Sequence, residues 1–157
     1  MAIEKITDTR QMLHWPGHME TDYIYTLGIA CEKFFIEIKE NGRILGAKCK
    51  HCNYVFVPPK LYCEKCFAKL AEWVDLGIQG VVHTFTVAHI DINGTELKDP
   101  EIYALIKFNG AEGGLVHKLG EVRPSQVRIG MKVEAVFKPQ PNRKGNINDI
   151  KYFKPRE

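Results

Sequence analysis

Apolar positions along this chain change their spacing twice, and each change marks a different kind of structure. Leu27, Cys31, Phe34 and Ile38 fall at alternating steps of four and three, flanked by Ala30 and Phe35. That is one stripe of an amphipathic helix, and Cys31 belongs to it as a small apolar side chain. Asn41-Gly42 supplies the stop. Upstream, Trp15-Pro16-Gly17 interrupts any longer helix and leaves a short aromatic-bearing arm over residues 1–22. The arm is expected either to lie on its own domain or to dock on a partner. After residue 42 the spacing shortens, with strands expected over Arg43–Lys48 and Tyr54–Val57 and an extended link at Pro58-Pro59. From residue 74 onward the period is two. Val81–Asp91 is long, rich in valine and threonine, and ends at Asn93-Gly94; Ile102, Ala104, Ile106 and Phe108 alternate with Tyr103, Leu105 and Lys107. Leu115, His117 and Leu119 follow, then Val133, Ala135 and Phe137, and Ile147–Phe153 closes the series. Five strands, the first of them long, predict a small barrel of the OB type, with a β-sandwich as the competing arrangement. The fold class is therefore mainly β with N-terminal helical structure, in three segments: a helical arm (1–41), a short middle module (42–73) and an OB-fold (74–157).

The middle module is too short to bury a core of its own, and four cysteines explain how it folds. Cys49-Lys50-His51-Cys52 and Cys63-Glu64-Lys65-Cys66 are two C-x₂-C pairs separated by ten residues. Such pairs bring thiolates to the spacing of about 3.5–4 Å that a shared tetrahedral Zn²⁺ requires. Four sulfur ligands leave no position for water, so the site is expected to be structural and to replace a core. A rubredoxin-like iron is the alternative metal. Disulfides would suit a secreted chain, but Met1-Ala2-Ile3-Glu4-Lys5 lacks the apolar stretch of a signal peptide. The residue after each pair often adopts positive φ. Asn53 tolerates this and Phe67 does so poorly, which predicts a distorted second knuckle.

Composition narrows the function classes. The chain has 157 residues, 45% hydrophobic and 26% charged, with no apolar run near the ~20 residues of a membrane span. Free cysteines and the missing signal point to the cytoplasm. A net charge of +3 does not by itself argue for nucleic acid, although Lys138, Arg143, Lys144, Lys151, Lys154 and Arg156 make the C-terminal stretch basic. No P-loop, G-x-S-x-G or G-x-G-x-x-G is present, and the glycines of 110–114 read as a turn between strands. Among the histidines, His83 and His89 share the parity of Phe85 and Val87, and His117 that of Leu115 and Leu119, as hydrogen-bonded core histidines do. His51 sits inside a knuckle that four cysteines already complete. His14 and His18 flank the Pro-Gly break, so they form no helical ligand pair. The chain reads as non-enzymatic.

Several segments together resemble a known family: thiolase-associated, acyl-CoA-linked proteins that join a rubredoxin-like zinc ribbon to a C-terminal OB-fold, long catalogued as a domain of unknown function. The resemblance runs through Lys33-Phe34-Phe35, Gly42–Cys49, Phe56-Val57-Pro58-Pro59, Glu72-Trp73, Gly80–Val87 and Arg128–Val133. It spans about 120 residues; Phe67 departs from the pattern, and residues 1–30 lie outside it. It implies an accessory subunit that bridges thiolases or related acyl-CoA enzymes and shapes a CoA or acyl-CoA channel. Extended pantetheine suits strand backbone groups, and CoA phosphates need lysine or arginine. Candidates are Lys48, Lys50 and Lys60 near the ribbon, and Lys118, Arg123 and Lys132 on the barrel. Phe56, Pro58 and Pro59 are candidates for an exposed apolar finger against a partner, or for packing on the ribbon's own strand. The competing reading is a single-stranded nucleic-acid binder, with Tyr103 and Phe85 as stacking platforms and the C-terminal lysines tracking phosphates.

Overall fold

A computed structural model describes residues 8, 10, 26–91 and 93–156. The expectation for the arm over 1–22 therefore lies outside the described residues, apart from Asp8 and Arg10.

Helix α1 (Gly28–Asn41) buries Ala30, Phe34 and Ile38. The stripe begins one turn later than the spacing predicts. Leu27 precedes the helix and is 56% exposed, and Cys31 is half-buried at the edge of the packed face. Gly42, at φ 60, ends the helix as expected, with its N–H and that of Arg43 returning to the carbonyls of Ile38 and Glu37. Two later carbonyls are satisfied from the far end of the chain: Arg143 donates to Lys39 O at 3.3 Å, and the Gln140 amide to Glu40 O at 3.3 Å. A loop of the barrel thus grips the end of the helix.

The ribbon sheet is built on β1 (Leu45–Lys48), which pairs antiparallel with β2 (Val55–Val57) on one side and β3 (Glu72–Asp75) on the other. The barrel closes in the order β4-β5-β7-β9-β8, from β4 (Gln79–Ile90), β5 (Glu96–Lys107), β7 (Leu115–Leu119), β8 (Lys132–Phe137) and β9 (Ile150–Pro155). The β-sandwich alternative is excluded by this closure. A two-residue strand, β6 (Glu112–Gly113), leaves the barrel and pairs in parallel with β2, Phe56 opposite Glu112 and Val57 opposite Gly113. The 109–114 segment is therefore more than a turn: it joins barrel to ribbon by backbone hydrogen bonding, and Gly114 N–H adds a bond to Val57 O at 2.9 Å. A Cβ on Gly113 would sit 2.2 Å from Val57 O, and its φ of 90 also calls for glycine.

One core runs through all three segments. Phe34 and Ile38 of the helix and Ile44, Leu45 and Val57 of the ribbon pack in a single cluster with Val82, Ile106, Val133 and Phe153 of the barrel. The alternation in β5 is as predicted: Ile102, Ala104, Ile106 and Phe108 are buried. Strand β4 departs from simple parity. One register shift falls between Val82 and Thr84, where His83 is the extra residue of β4. The other falls between Ala88 and Ile90, where the extra residues belong to β5, between Glu96 and Glu101; both histidines are exposed. They share no inward face with Phe85 and Val87, which pack against the core. His117 is hydrogen-bonded as expected but half-buried, at the edge of the core. Its Nδ1 accepts from Lys118 N–H at 2.9 Å, Nε2 lies 3.3 Å from Ile147 O, and the ring meets Phe153 edge-on.

Candidate metal centre and surrounding surfaces

The two C-x₂-C turns are built alike. Cys49 N–H donates to Tyr54 O and Asn53 N–H to Cys49 O, both at 2.8 Å; Cys63 N–H donates to Ala68 O and Phe67 N–H to Cys63 O, both at 2.9 Å. Asn53 has φ 59 and Phe67 has φ 60. The second knuckle is therefore undistorted, contrary to expectation: Phe67 accepts the left-handed backbone, and its ring is 80% exposed. The reason is that the paired hydrogen bonds of the turn over-determine the backbone there.

These turns place all four sulfurs within 4.8 Å of one another, Cys49 Sγ and Cys66 Sγ at 3.6 Å. Sulfurs at the corners of a tetrahedron with metal–sulfur bonds of about 2.3 Å stand about 3.8 Å apart, so the donor set fits one ion. Backbone N–H groups aim at the sulfurs, Cys52 N–H at Cys49 Sγ and Lys65 N–H at Cys63 Sγ, each at 3.4 Å. The first of these draws the Cys49 thiol down to about 7, while hydrogen bonding to Cys66 pushes Cys52 up to about 12. The cluster on its own favours one thiolate and resists the next, and a divalent cation is what allows four sulfurs to share the space as ligands. Around it, Ala47, Phe56 and Leu70 form a second small apolar cluster with Cys49 and Cys63.

That packing corrects part of the expected apolar finger. Phe56 is 1% exposed and turned onto the cysteine cluster, because its place in β2 faces the ribbon interior; Pro59 is buried as well. Pro58, which follows a cis Val57–Pro58 peptide, stays exposed. It lines an apolar groove of about 290 Å³ with Cys31, Phe35, Leu115 and Val116.

The six basic candidates do not converge. Lys48 pairs with Glu72 at 3.8 Å and Lys60 with Glu64, both on the ribbon. Lys118 pairs with Glu101, which also accepts from Tyr103 OH at 2.6 Å; these two donors hold the Glu101 carboxyl below its ordinary range. Lys50 is exposed in the first knuckle, Arg123 lies before the short 3₁₀ turn Pro124–Gln126, and Lys132 stands at the start of β8 beside Arg156. Tyr103 and Phe85 form no common stacking platform, because Phe85 is opposite Ala104 and Thr86 opposite Tyr103, which puts the two rings on opposite faces of the sheet. Spacing alone missed the pairing of Lys132 with Arg156, which only the β8–β9 register reveals. It also missed the fully buried Asp149, for which the turn residues Lys144-Gly145-Asn146 were the available signal.

A four-cysteine ribbon whose sheet is completed by a loop of a closed five-stranded barrel defines a class: the zinc-ribbon and OB-fold proteins. Comparison with known proteins agrees. The family description "ChsH2, rubredoxin-like zinc ribbon domain" matches residues 37–71, and "ChsH2, C-terminal OB-fold domain" matches 73–138. A DUF35 domain-containing scaffold protein of Methanocaldococcus jannaschii is 35% identical over 103 residues, covering 64% of this chain and 72% of the relative. Another from Methanothermobacter thermautotrophicus is 29% identical over 126 residues, covering 76% and 91%. A DUF35-family crystal structure from Sulfolobus solfataricus, of unknown function, superposes with a TM-score of 0.66 at 31% identity over 82% of this chain and 87% of that one. The Ltp2-ChsH2(DUF35) aldolase structure shares the fold, with a TM-score of 0.59 at 22% identity over 79% and 93%. The chain belongs to the DUF35 family.

Proposed function

We propose that this protein is a non-catalytic accessory subunit that binds CoA or an acyl-CoA and partners a thiolase-like or other acyl-CoA enzyme, with Zn²⁺ as the structural metal of its ribbon. The observation that carries the scaffold part is the relationship, at 35% identity, to a protein named as a DUF35 scaffold. The architecture supports it physically. Barrel and ribbon are tied by the β2–β6 pairing and by one shared core, so the protein offers a partner a preformed surface. The apolar groove beside Pro58, bordered by the exposed Val116, is suited to contact with a partner. The ribbon contributes no reaction of its own, since four thiolates fill the coordination sphere of a tetrahedral ion. The acyl-CoA part draws on the family resemblance of the sequence and on basic residues around a barrel able to seat an extended ligand.

Calorimetric titration of the metal-loaded protein with acetyl-CoA, pantetheine and an oligonucleotide at two salt concentrations tests the ligand. The proposal expects acyl-CoA binding with a share carried by pantetheine that survives salt. Binding of the oligonucleotide alone, collapsing steeply as salt rises, would instead favour a nucleic-acid role.

A further inference from the structure

We propose that a small cavity at the start of β4 is a binding site for a phosphate or diphosphate group. The cavity has a volume of about 210 Å³ and is walled by Gln79, Val81, Asn109, Lys132 and Arg156, with no carboxylate among its lining residues. Strand register explains how residues from four strands meet there. Val81 lies opposite Lys107 on β5 and opposite Lys132 on β8, and Arg156, directly after β9, donates its N–H to Lys132 O at 3.0 Å. Residues opposite one another project from the same face, so Lys107, Val81, Lys132 and Arg156 form one exposed row across the sheet.

Lys132 and Arg156 side by side, with Lys107 across Val81 in the same row, conflict with ordinary sheet design, because adjacent like charges destabilise strand pairing. The neighbouring row resolves its charges internally: Glu134 pairs with Lys154 at 3.4 Å. Among the described residues, neither Lys107, Lys132 nor Arg156 has an acidic partner within ion-pair distance. Arg156 is instead held by Gln79, whose carbonyl oxygen accepts from its guanidinium. That contact orients the guanidinium and leaves the Gln79 amide N–H₂ as a further donor, and Asn109 lines the same cavity. Two cationic side chains and two amides around a concave apolar floor are the donor set that phosphate oxygens take. The volume is below the roughly 300 Å³ at which pockets for whole drug-sized ligands begin, so the site suits the anionic end of a molecule that extends beyond it.

The site deepens the CoA-binding part of the proposed function, for which Lys132 is a candidate, and rests on that reading only for the source of the phosphate; the cavity and its donors carry the site itself. The test is an NMR titration of the ¹⁵N-labelled, metal-loaded full chain with inorganic phosphate, AMP, CoA and pantetheine at low ionic strength, following the side-chain amides of Gln79 and Asn109. Phosphate should produce saturable shifts at both amides. These should weaken by about tenfold or more in the Lys132→Gln, Arg156→Gln double variant, as loss of charge-assisted hydrogen bonds requires. Lys98→Gln, elsewhere on β5, should leave them unchanged. CoA acting at these amides more tightly than phosphate, with pantetheine silent there, would identify a cofactor's phosphate end as the source. AMP matching CoA would identify the phosphate group alone; either result upholds the site. The proposal is overturned if phosphate produces no saturable shift at Gln79 and Asn109, or if the double variant binds like the parent. In that case CoA shifts appearing elsewhere would leave the accessory-subunit reading intact.

Discussion

Phe67 and Asp149 show how single residues hold this structure together. Phe67 occupies a left-handed backbone at φ 60 with its ring 80% exposed, so the knuckle carries conformational strain with little burial in return. A non-glycine residue costs about 1–2 kcal/mol in that region. Phe67→Gly should therefore raise ribbon stability by about 1 kcal/mol after allowing for glycine's greater freedom when unfolded, read as a higher melting temperature and slower loss of metal to a chelator. An unchanged or lower value would mean that the exposed ring is packed in solution. Asp149 is 0% exposed and accepts hydrogen bonds from the N–H groups of Lys144, Gly145 and Asn146, the one from Gly145 at 2.6 Å. Burial alone would raise its pKa, but these donors and nearby Lys138 outweigh it, and the carboxyl titrates below its ordinary value. A depressed folded pKa stabilises the protein at pH above about 4, the unfolded value, and that contribution is lost as pH falls through the folded one. Asp149→Ala should cost about 3 kcal/mol by stranding buried donors, and it should flatten the acid limb of a stability-versus-pH curve. An acid limb identical to the parent's would contradict the assignment.

At the scale of elements, the joints matter more than the strands. The loop that Asp149 organises also carries Arg143 and Gln140, which cap the last carbonyls of α1, so the barrel fixes the helix from a distance of about a hundred residues in sequence. The β2–β6 pair fixes the ribbon in the same way. Gly113→Ala would drive a Cβ into Val57 O and should cost more than about 2 kcal/mol. Hydrogen exchange should show protection lost first at Gly114, whose N–H bonds Val57 O; retained protection there would mean that the strand pair is not the joint. Much of the element structure was legible beforehand. The helix stop at Gly42, the alternation in β5 and the closed barrel follow from local pattern. The rest was not, for definable reasons. Two residues, Glu112 and Gly113, are too few to show a period, and their partner lies more than fifty residues away. The bulge at His83 shifts parity without any marker in the sequence, and the register shift opposite His89 arises on β5, between Glu96 and Glu101. The row of Lys107, Lys132 and Arg156 exists only once cross-strand register is known.

The four cysteines were the most legible feature at the scale of the whole molecule, because C-x₂-C encodes its own geometry. The structure brings their sulfurs together as that spacing demands. Replacing Cys49 or Cys66 with serine should abolish stoichiometric metal and unfold the ribbon. The barrel should survive in part, since Val82, Ile106, Val133 and Phe153 keep their mutual contacts. Elemental analysis together with amide protection separates these outcomes, and full metal retention in both variants would contradict the four-sulfur site. A ribbon with a four-sulfur metal site, welded to a barrel, is suited to presenting a surface to another protein. The measurement that tests this most directly is native co-purification of the tagged full-length protein from its own cells, with the bound proteins identified and their stoichiometry determined. Recovery of a thiolase or another acyl-CoA enzyme in stoichiometric amount is the predicted result. Recovery only of nucleic-acid-bound proteins, released by nuclease, would contradict it.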